Sequence, residues 1–367
     1  MNQIKIPLDW PNIGELEKEY VVKALESGFV SSAGPLIREF EDGFTSYLQC
    51  KNAVSVVNGT SGLHLALRLL NIGPGDEVIV PALTFVASVN PIIYVGATPV
   101  VVDVLPDTWT VDPLQIKKSI TSRTKAIIPV HLYGNPADMD AIMEIARQYN
   151  LFVIEDATES LGSTYKDKYT GTFGDLGVFS FNGNKVITTG GGGMVVTDHD
   201  ELAQKARLLV NQGREAGVKE YSHQEIGYNF RLTNIQAALG LAQMKRLPEF
   251  LAVKRRHARI YQQKLQDVPG IKWQSELAGA ESNWWLFSIV VEDDFWEDKH
   301  SVMSRLISKG IQVRPLFKPI DQQPCYSGYK MPKCEVADYL YKRGINLPNA
   351  SFLTEEDIKA VCRELIR

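Results

Sequence analysis

Between residues 53 and 156 the chain repeats one pattern: a short, nearly all-apolar run rich in β-branched residues, then a turn or a stretch of helical periodicity. The runs are Ala53–Val57, Val78–Val80, Pro99–Val104, Ala126–Leu132 and Leu151–Asp156. Runs that are apolar on both faces belong inside a sheet covered on both sides, so an α/β fold with a mostly parallel sheet is expected. After Val57 the chain breaks at Asn58-Gly59-Thr60-Ser61-Gly62, and Leu63, Ala66, Leu67 and Leu70 then recur at helical spacing. Asp138–Tyr149 reads as a crossover helix, and Val178–Phe181 and Met194–Thr197 as short strands around a glycine-rich turn. A long helical stretch, Asn234–Leu265, contains Pro248 as a potential kink and bridges to a smaller α/β unit. That unit is read from Ser282–Val291, a helix near Ser301–Ser308, Ile311–Leu316 and a last helix near Thr354–Ile366. The expected division is a large domain over residues 1–250 and a small one over 251–367, with the N-terminal segment packing on the small one.

Several classes are excluded early. Lys+Arg is 39 against Asp+Glu 43, a net charge of −4, so no basic stripe for nucleic acid is expected. Val78–Val102 is uncharged and long enough to span a membrane, but Pro81, Pro91, Gly96 and Pro99 interrupt it, and a buried strand–helix–strand unit fits better. The N-terminus has no apolar signal region, and Cys50, Cys325, Cys334 and Cys362 form no C-x-x-C pair, so a cytoplasmic protein without disulfides or membrane contact is expected. The six histidines never cluster or fall at i, i+4, which leaves no metal site to propose.

Three constellations carry chemistry. At Val57–Gly62 a strand meets a small-residue turn and a helix opens at once, offering backbone N–H groups and two hydroxyls to phosphate; a plain cap at Thr60 or Ser61 explains the same residues. Asp156 closes a buried strand at the edge where α/β sheets bind ligands and could pair with a cationic ring nitrogen; a cap for the next turn, with Glu155 and Glu159 as solvated neighbours, reads as well. Lys185 is the single charged residue in the window Leu176–Val195, beside Gly190–Gly193. An unpaired ammonium is costly in an apolar, glycine-lined crevice, so burial is expected to favour a neutral, nucleophilic amine suited to a Schiff base; an exposed turn lysine is the simpler alternative. Together, a phosphate cup, an acid and a lysine fit pyridoxal 5′-phosphate (PLP).

The segments NGTSGLHLAL, GPGDEVIVPALTFVAS, GATPVVVDV, PVHLYG, VIEDATESLGS, GTFGDLGVFSFNGNKVITTGGGGM, GYNFRLTNIQAALGLAQ and RGINLP cover nearly the whole chain. They resemble the DegT/DnrJ/StrS family of PLP-dependent sugar-nucleotide aminotransferases. The resemblance implies an aspartate-aminotransferase-like fold (PLP fold type I), with a seven-stranded-type sheet, and a homodimer with shared active sites. It implies that Lys185 bonds the cofactor aldehyde and shuttles a proton, and that Asp156 keeps the ring nitrogen protonated. Gly59, Thr60, Ser61 and Ser180 would bind the phosphate, Phe85 would stack on the ring, and Glu159 would lie near its 3-hydroxyl. Asn229 would reach the phosphate in the neighbouring subunit. Arg231, Arg314 and Lys318 are candidates for the substrate's diphosphate, with solvated surface charge an equal alternative.

Gly191 stands where many relatives have glutamate, and Asn182 where many have an aromatic residue. With VSSAGP, Ser282–Trp285 and Val313–Ile320, these resemble a subgroup acting on UDP-linked 4-keto-6-deoxy-N-acetylhexosamines, in bacillosamine or legionaminic acid pathways; Asp321 departs from a histidine common there. The expected reaction moves the amino group of L-glutamate to C4 of UDP-4-keto-6-deoxy-N-acetylglucosamine for bacterial surface glycans. The alternatives are a GDP-perosamine-forming 4-aminotransferase and, from another class, a non-enzymatic regulator or binding protein on the same fold.

Overall fold

The computed structural model describes residues 4–214 and 222–366. The first part of the chain supplies β1 (Asn52–Val56), β2 (Glu77–Pro81), β3 (Thr98–Val102), β4 (Thr124–Ile127), β5 (Phe152–Asp156), a short hairpin of β6 (Thr164–Tyr165) and β7 (Lys168–Tyr169), then β8 (Leu176–Ser180) and β9 (Gly193–Thr197). Seven of these form one sheet in the order β1-β9-β8-β5-β4-β2-β3. The pairs from β3 across to β8 are parallel, whereas β9 is antiparallel to both β8 and β1. Only β9 therefore opposes the common direction, and the expected mostly parallel sheet is present. The uncharged run Val78–Val102 is β2, a 3₁₀ turn, the helix Asn90–Tyr94 and β3. No helix among the described residues is long and apolar enough to cross a membrane.

Proline shortens one expected strand. The run Ala126–Leu132 leaves the ladder after Ile127, because Pro129 has no N–H to donate, and Val130 keeps only an isolated bridge to Asp156. Ahead of β1 lie two helices, Glu15–Glu26 and Pro35–Leu48, that the sequence reading did not identify. The second sends Phe44 edge-on against Phe179 (5.1 Å between ring centroids), and Phe40 edge-on against Phe181 (5.3 Å). Because side chains alternate along a strand, anchoring Phe179 and Phe181 in the core turns Ser180 to the opposite side.

The later chain adds β10 (Ile271–Trp273), β11 (Ala280–Glu281), β12 (Phe287–Val291), β13 (Arg314–Pro315) and β14 (Gly344–Leu347). β11 joins the β6–β7 hairpin, and the others form a second, antiparallel sheet in the order β10-β12-β14-β13. Its core holds Tyr261, Phe287, Ile289, Leu306 and Ile345, and also Ile6, which bridges to Ile311. The helix Asn234–Leu265 runs unbroken through Pro248 and starts in a capping box of Thr233 and Gln236. Its first half contributes Ala237, Leu247 and Phe250 to the large core, and its second half contributes Ala258, Tyr261 and Leu265 to the small one. The 250/251 boundary thus falls inside a helix that serves both.

Candidate active site

The segments that leave β1, β2, β5 and β8 converge on a crevice of about 420 Å³ at the carboxyl ends of the strands, the edge where open α/β sheets bind ligands. Its walls include Gly59, Thr60, Phe85, Asp156, Glu159, Ser180, Lys185 and Arg314, all named from the sequence.

At one end the helix Gly59–Leu69 begins. Its cap is Asn58, not Thr60 or Ser61: Asn58 Oδ1 accepts from Ser61 N at 2.8 Å. Ser61 lies in the first turn but does not line the crevice, whereas Thr60 does. A Cβ on Gly59 would lie 3.0 Å from both Ser180 Cβ and Thr158 Cγ2, so glycine lets the helix start come against Ser180.

Asp156 closes β5 on the floor of the crevice. Ser88 Oγ donates to its Oδ2 at 2.6 Å, and Thr158 N and Oγ1 donate to Oδ1 at 3.2 and 2.7 Å. Glu155, one residue earlier, faces the other way by strand alternation. Its Oε1 accepts from Phe173 N and Gly174 N (2.6 and 2.7 Å), and its Oε2 accepts from Gly171 N (2.7 Å) and lies 3.0 Å from His131 Nε2. Glu155 and Glu159 are therefore buried groups, which corrects the view of them as solvated neighbours. Glu155 does structural work, and Glu159 belongs to the crevice.

Glu159 Oε2 accepts from Tyr133 N at 2.8 Å, and its Oε1 lies 3.6 Å from Lys185 Nζ. Burial pushes the Glu159 carboxyl up to about 7; the Lys185 charge opposes the rise and Asp156 adds to it. Lys185 leaves β8 in a turn closed by its own N–H to Asn182 O (3.0 Å). Its side chain is 14% exposed, and Nζ lies 3.9 Å from the centroid of the Trp285 ring. The lysine is thus in the crevice and not on an exposed turn. The expectation of an unpaired amine is corrected, since Glu159 and the Trp285 ring both face it.

Phe85 stands half-exposed at the mouth, 5.5 Å from Phe317, whose ring lies 5.2 Å from that of Tyr133. Arg314 lines both this crevice and a cavity of about 340 Å³ that shares Asn184, Trp285 and Phe317 with it; Lys318 lines the latter alone. Asn229 is exposed, lies outside the crevice of its own chain and bridges to Asn211. The next residue's carbonyl, Phe230 O, accepts from Val57 N at 2.8 Å, so this segment runs beside the Val57–Gly62 turn. Arg231 is half-buried and does not line the crevice.

The sequence reading missed Ser88, Thr158 and Asn184 as site residues, and took Trp285 and Phe317 only as parts of substrate-subgroup segments. A usable signal existed for Ser88, a polar residue in the uncharged run Val78–Val102, and for Thr158, a hydroxyl two residues after the end of a buried strand. None existed for Trp285, whose approach to Lys185 is a tertiary fact.

The cradle suits PLP: a helix start closed to any Cβ at Gly59, a buried carboxylate held by donors on the floor, and an amine between a second carboxylate and a ring. Sheet and crevice together define a PLP-dependent enzyme of fold type I. The chain belongs to the DegT/DnrJ/EryC1/StrS aminotransferase family, whose model matches residues 11–366, and the resemblance read from the sequence is borne out. It is similar to GDP-perosamine synthase of Caulobacter vibrioides, 43% identical over 362 residues, covering 98% of this chain and 97% of that one. It is also similar to GDP-perosamine synthase of Escherichia coli O157:H7, 44% identical over 360 residues with 98% and 97% covered. Among solved structures it resembles E. coli GDP-4-keto-6-deoxy-D-mannose-3-dehydratase with bound hydrated PLP, with a TM-score of 0.93, 28% identity, and 99% of this chain and 100% of that one covered.

Proposed function

We propose that the chain transfers an amino group from L-glutamate to C4 of a GDP-linked 4-keto-6-deoxyhexose, with GDP-perosamine as the product. The observation that carries this is 43% and 44% identity, over 97% of their length, to two GDP-perosamine synthases. The UDP-linked sugar expected first from the sequence gives way to the GDP-linked alternative, because neither relative is named for a UDP sugar.

When bound, PLP supplies an aldehyde for an amine and a ring that takes up the electron pair left at the substrate carbon. Gly59, Thr60 and Ser180 would hold its phosphate, with Ser61 nearby and Asn229 reaching across from a second copy in a homodimer. Phe85 would cover the ring face, and Glu159 would sit by the hydroxyl. Asp156, fixed by Ser88 and Thr158, keeps a proton on the ring nitrogen. Lys185 Nζ takes and returns the proton at the substrate carbon, which is general acid–base catalysis. Arg314, at the junction of the two cavities, and Lys318, in the wall of the second, match the charge of a diphosphate; Arg231 is a third candidate from outside the crevice. In this reading residues 1–250 hold the cofactor, residues 251–367 supply Trp285 and Arg314, and the reaction takes place in the cytoplasm.

The test compares kcat/KM for GDP- and UDP-linked 4-keto-6-deoxy sugars, with L-glutamate as donor. The GDP sugar is expected to lead by at least about tenfold. A preference for the UDP sugar overturns the assignment, and turnover by Lys185→Ala overturns the role of the lysine.

A further inference from the structure

Trp285 is 3% exposed, and its ring centroid lies 3.9 Å from Lys185 Nζ. Its Nε1 donates to Asn184 O at 2.6 Å, so the indole is tied to the residue immediately before the lysine. Ring and amine are therefore registered by one turn. The backbone of Trp285 is held from behind as well. Its N–H donates to Asn283 Oδ1 at 2.8 Å, and its carbonyl accepts from Lys254 Nζ at 3.3 Å. Lys254 Nζ also donates to Asp9 Oδ2 at 3.1 Å and to Asn349 O at 2.6 Å, all within the core.

Trp284, just before it, has φ 51°, a left-handed backbone that is uncommon for a bulky residue. Asn349 Nδ2 donates to the Trp284 carbonyl and helps to hold that conformation. Such strain persists only where the surroundings over-determine it, and it gathers at functional sites. Here it interrupts the expected strand Ser282–Val291, which starts only at Phe287, and frees Trp285 to line the crevice.

We propose that Trp285 is a positioning residue for Lys185: its indole face is the seat that keeps the amine aimed into the crevice beside Glu159, and the Asp9–Lys254 pair holds that seat in place. A lysine head on a flexible four-carbon stem needs such a seat. Glu159, at 3.6 Å, is too far for a direct hydrogen bond. A ring face attracts the ammonium through its quadrupole without a directed bond, so once the ammonium has given its proton to solvent the neutral amine is already aimed and free to attack an aldehyde.

The inference rests on Lys185 being the amine that bonds PLP. Wild-type, Trp285→Phe and Trp285→Leu apoproteins are mixed with PLP. The capture rate is read from visible absorbance, and the attachment site from borohydride reduction and peptide mass mapping. Trp285→Leu is expected to capture PLP about tenfold more slowly with unchanged circular dichroism, and Trp285→Phe to recover to within about threefold of wild type. Trp285→Met takes the place of the leucine variant if that one does not fold. Capture by Leu or Met at the wild-type rate overturns the proposal. So does a phenylalanine variant as slow as leucine, which makes the role of Trp285 purely structural. Labelling of wild type away from Lys185 overturns instead the role given to the lysine, so the two failures are distinct.

Discussion

Glu159→Gln tests the electrostatics of the crevice without any cofactor. In the folded chain burial lifts the Glu159 carboxyl from its ordinary 4.5 to about 7, and the Lys185 charge only partly opposes it. Between those two values the folded protein holds a proton that the unfolded chain has released. The stability this contributes is full below about pH 4.5 and is lost as the pH rises through 7. At about 1.4 kcal/mol per tenfold change in proton affinity, the loss over the window is roughly 3 kcal/mol. Glutamine cannot titrate, and its side-chain carbonyl can still accept from Tyr133 N. Urea unfolding of both apoproteins at pH 5 and pH 8 gives two differences in stability, in which the titration of uncoupled groups cancels. Their change should be about 2–3 kcal/mol in favour of the variant at the higher pH. A difference flat to within about 0.5 kcal/mol would refute the claim that this carboxyl is desolvated beside the lysine.

Gly59→Ala places a methyl 3.0 Å from Ser180 Cβ and Thr158 Cγ2, and should weaken PLP retention in equilibrium dialysis about tenfold while costing about 1–3 kcal/mol in urea unfolding of the apoprotein. Unaltered retention would mean that the helix start is not the phosphate cup. Asp156→Asn should still capture PLP at Lys185, but bleach with L-glutamate at least about a hundredfold more slowly in stopped-flow absorbance; bleaching at the wild-type rate would remove Asp156 from the ring nitrogen. Lys254→Met leaves Asp9 without its cation in the core and should cost about 3–5 kcal/mol in urea unfolding; adding Asp9→Leu should recover part of it, the remainder being the bonds to Trp285 O and Asn349 O. A double variant no more stable than the single one would show that the pair is not the reason.

The large sheet was legible because its inner strands carry short, β-branched apolar stretches, Val78–Val80 in β2 and Val153–Ile154 in β5, that are buried on both faces. The helix Asn234–Leu265 has the expected span, since the packed faces on both of its halves compensate for Pro248. Of the two missed N-terminal helices, Pro35–Leu48 carries Phe40, Phe44 and Leu48 at helical spacing and was readable, whereas the other was not. Glu15–Glu26 buries only Glu17 and Ala24 and so shows little apolar periodicity. Within the site, Asp156 stood out as the carboxylate closing a buried strand and Lys185 as the single charge in the window Leu176–Val195, both local properties. Glu155 had the same local appearance as Glu159, and only the fold sends one to the backbone N–H groups of residues 171–174 and the other to the lysine. Trp285 and Lys185 are brought together across 100 positions of chain by a left-handed residue that no periodicity announces.

The pairing of Ile6 with Ile311 has a temporal side. Leu8 N donates to Gln312 Oε1 at 3.0 Å, and Leu8 O accepts from Asn349 N at 2.8 Å. During translation residues 6–9 emerge long before these partners exist. The seven strands of the large sheet are all synthesised by residue 197, while Asp9 must wait for Lys254 and Asn349. A nascent chain can therefore complete the strands that flank Gly59 and Lys185 while the residues that back Trp285 are still being made.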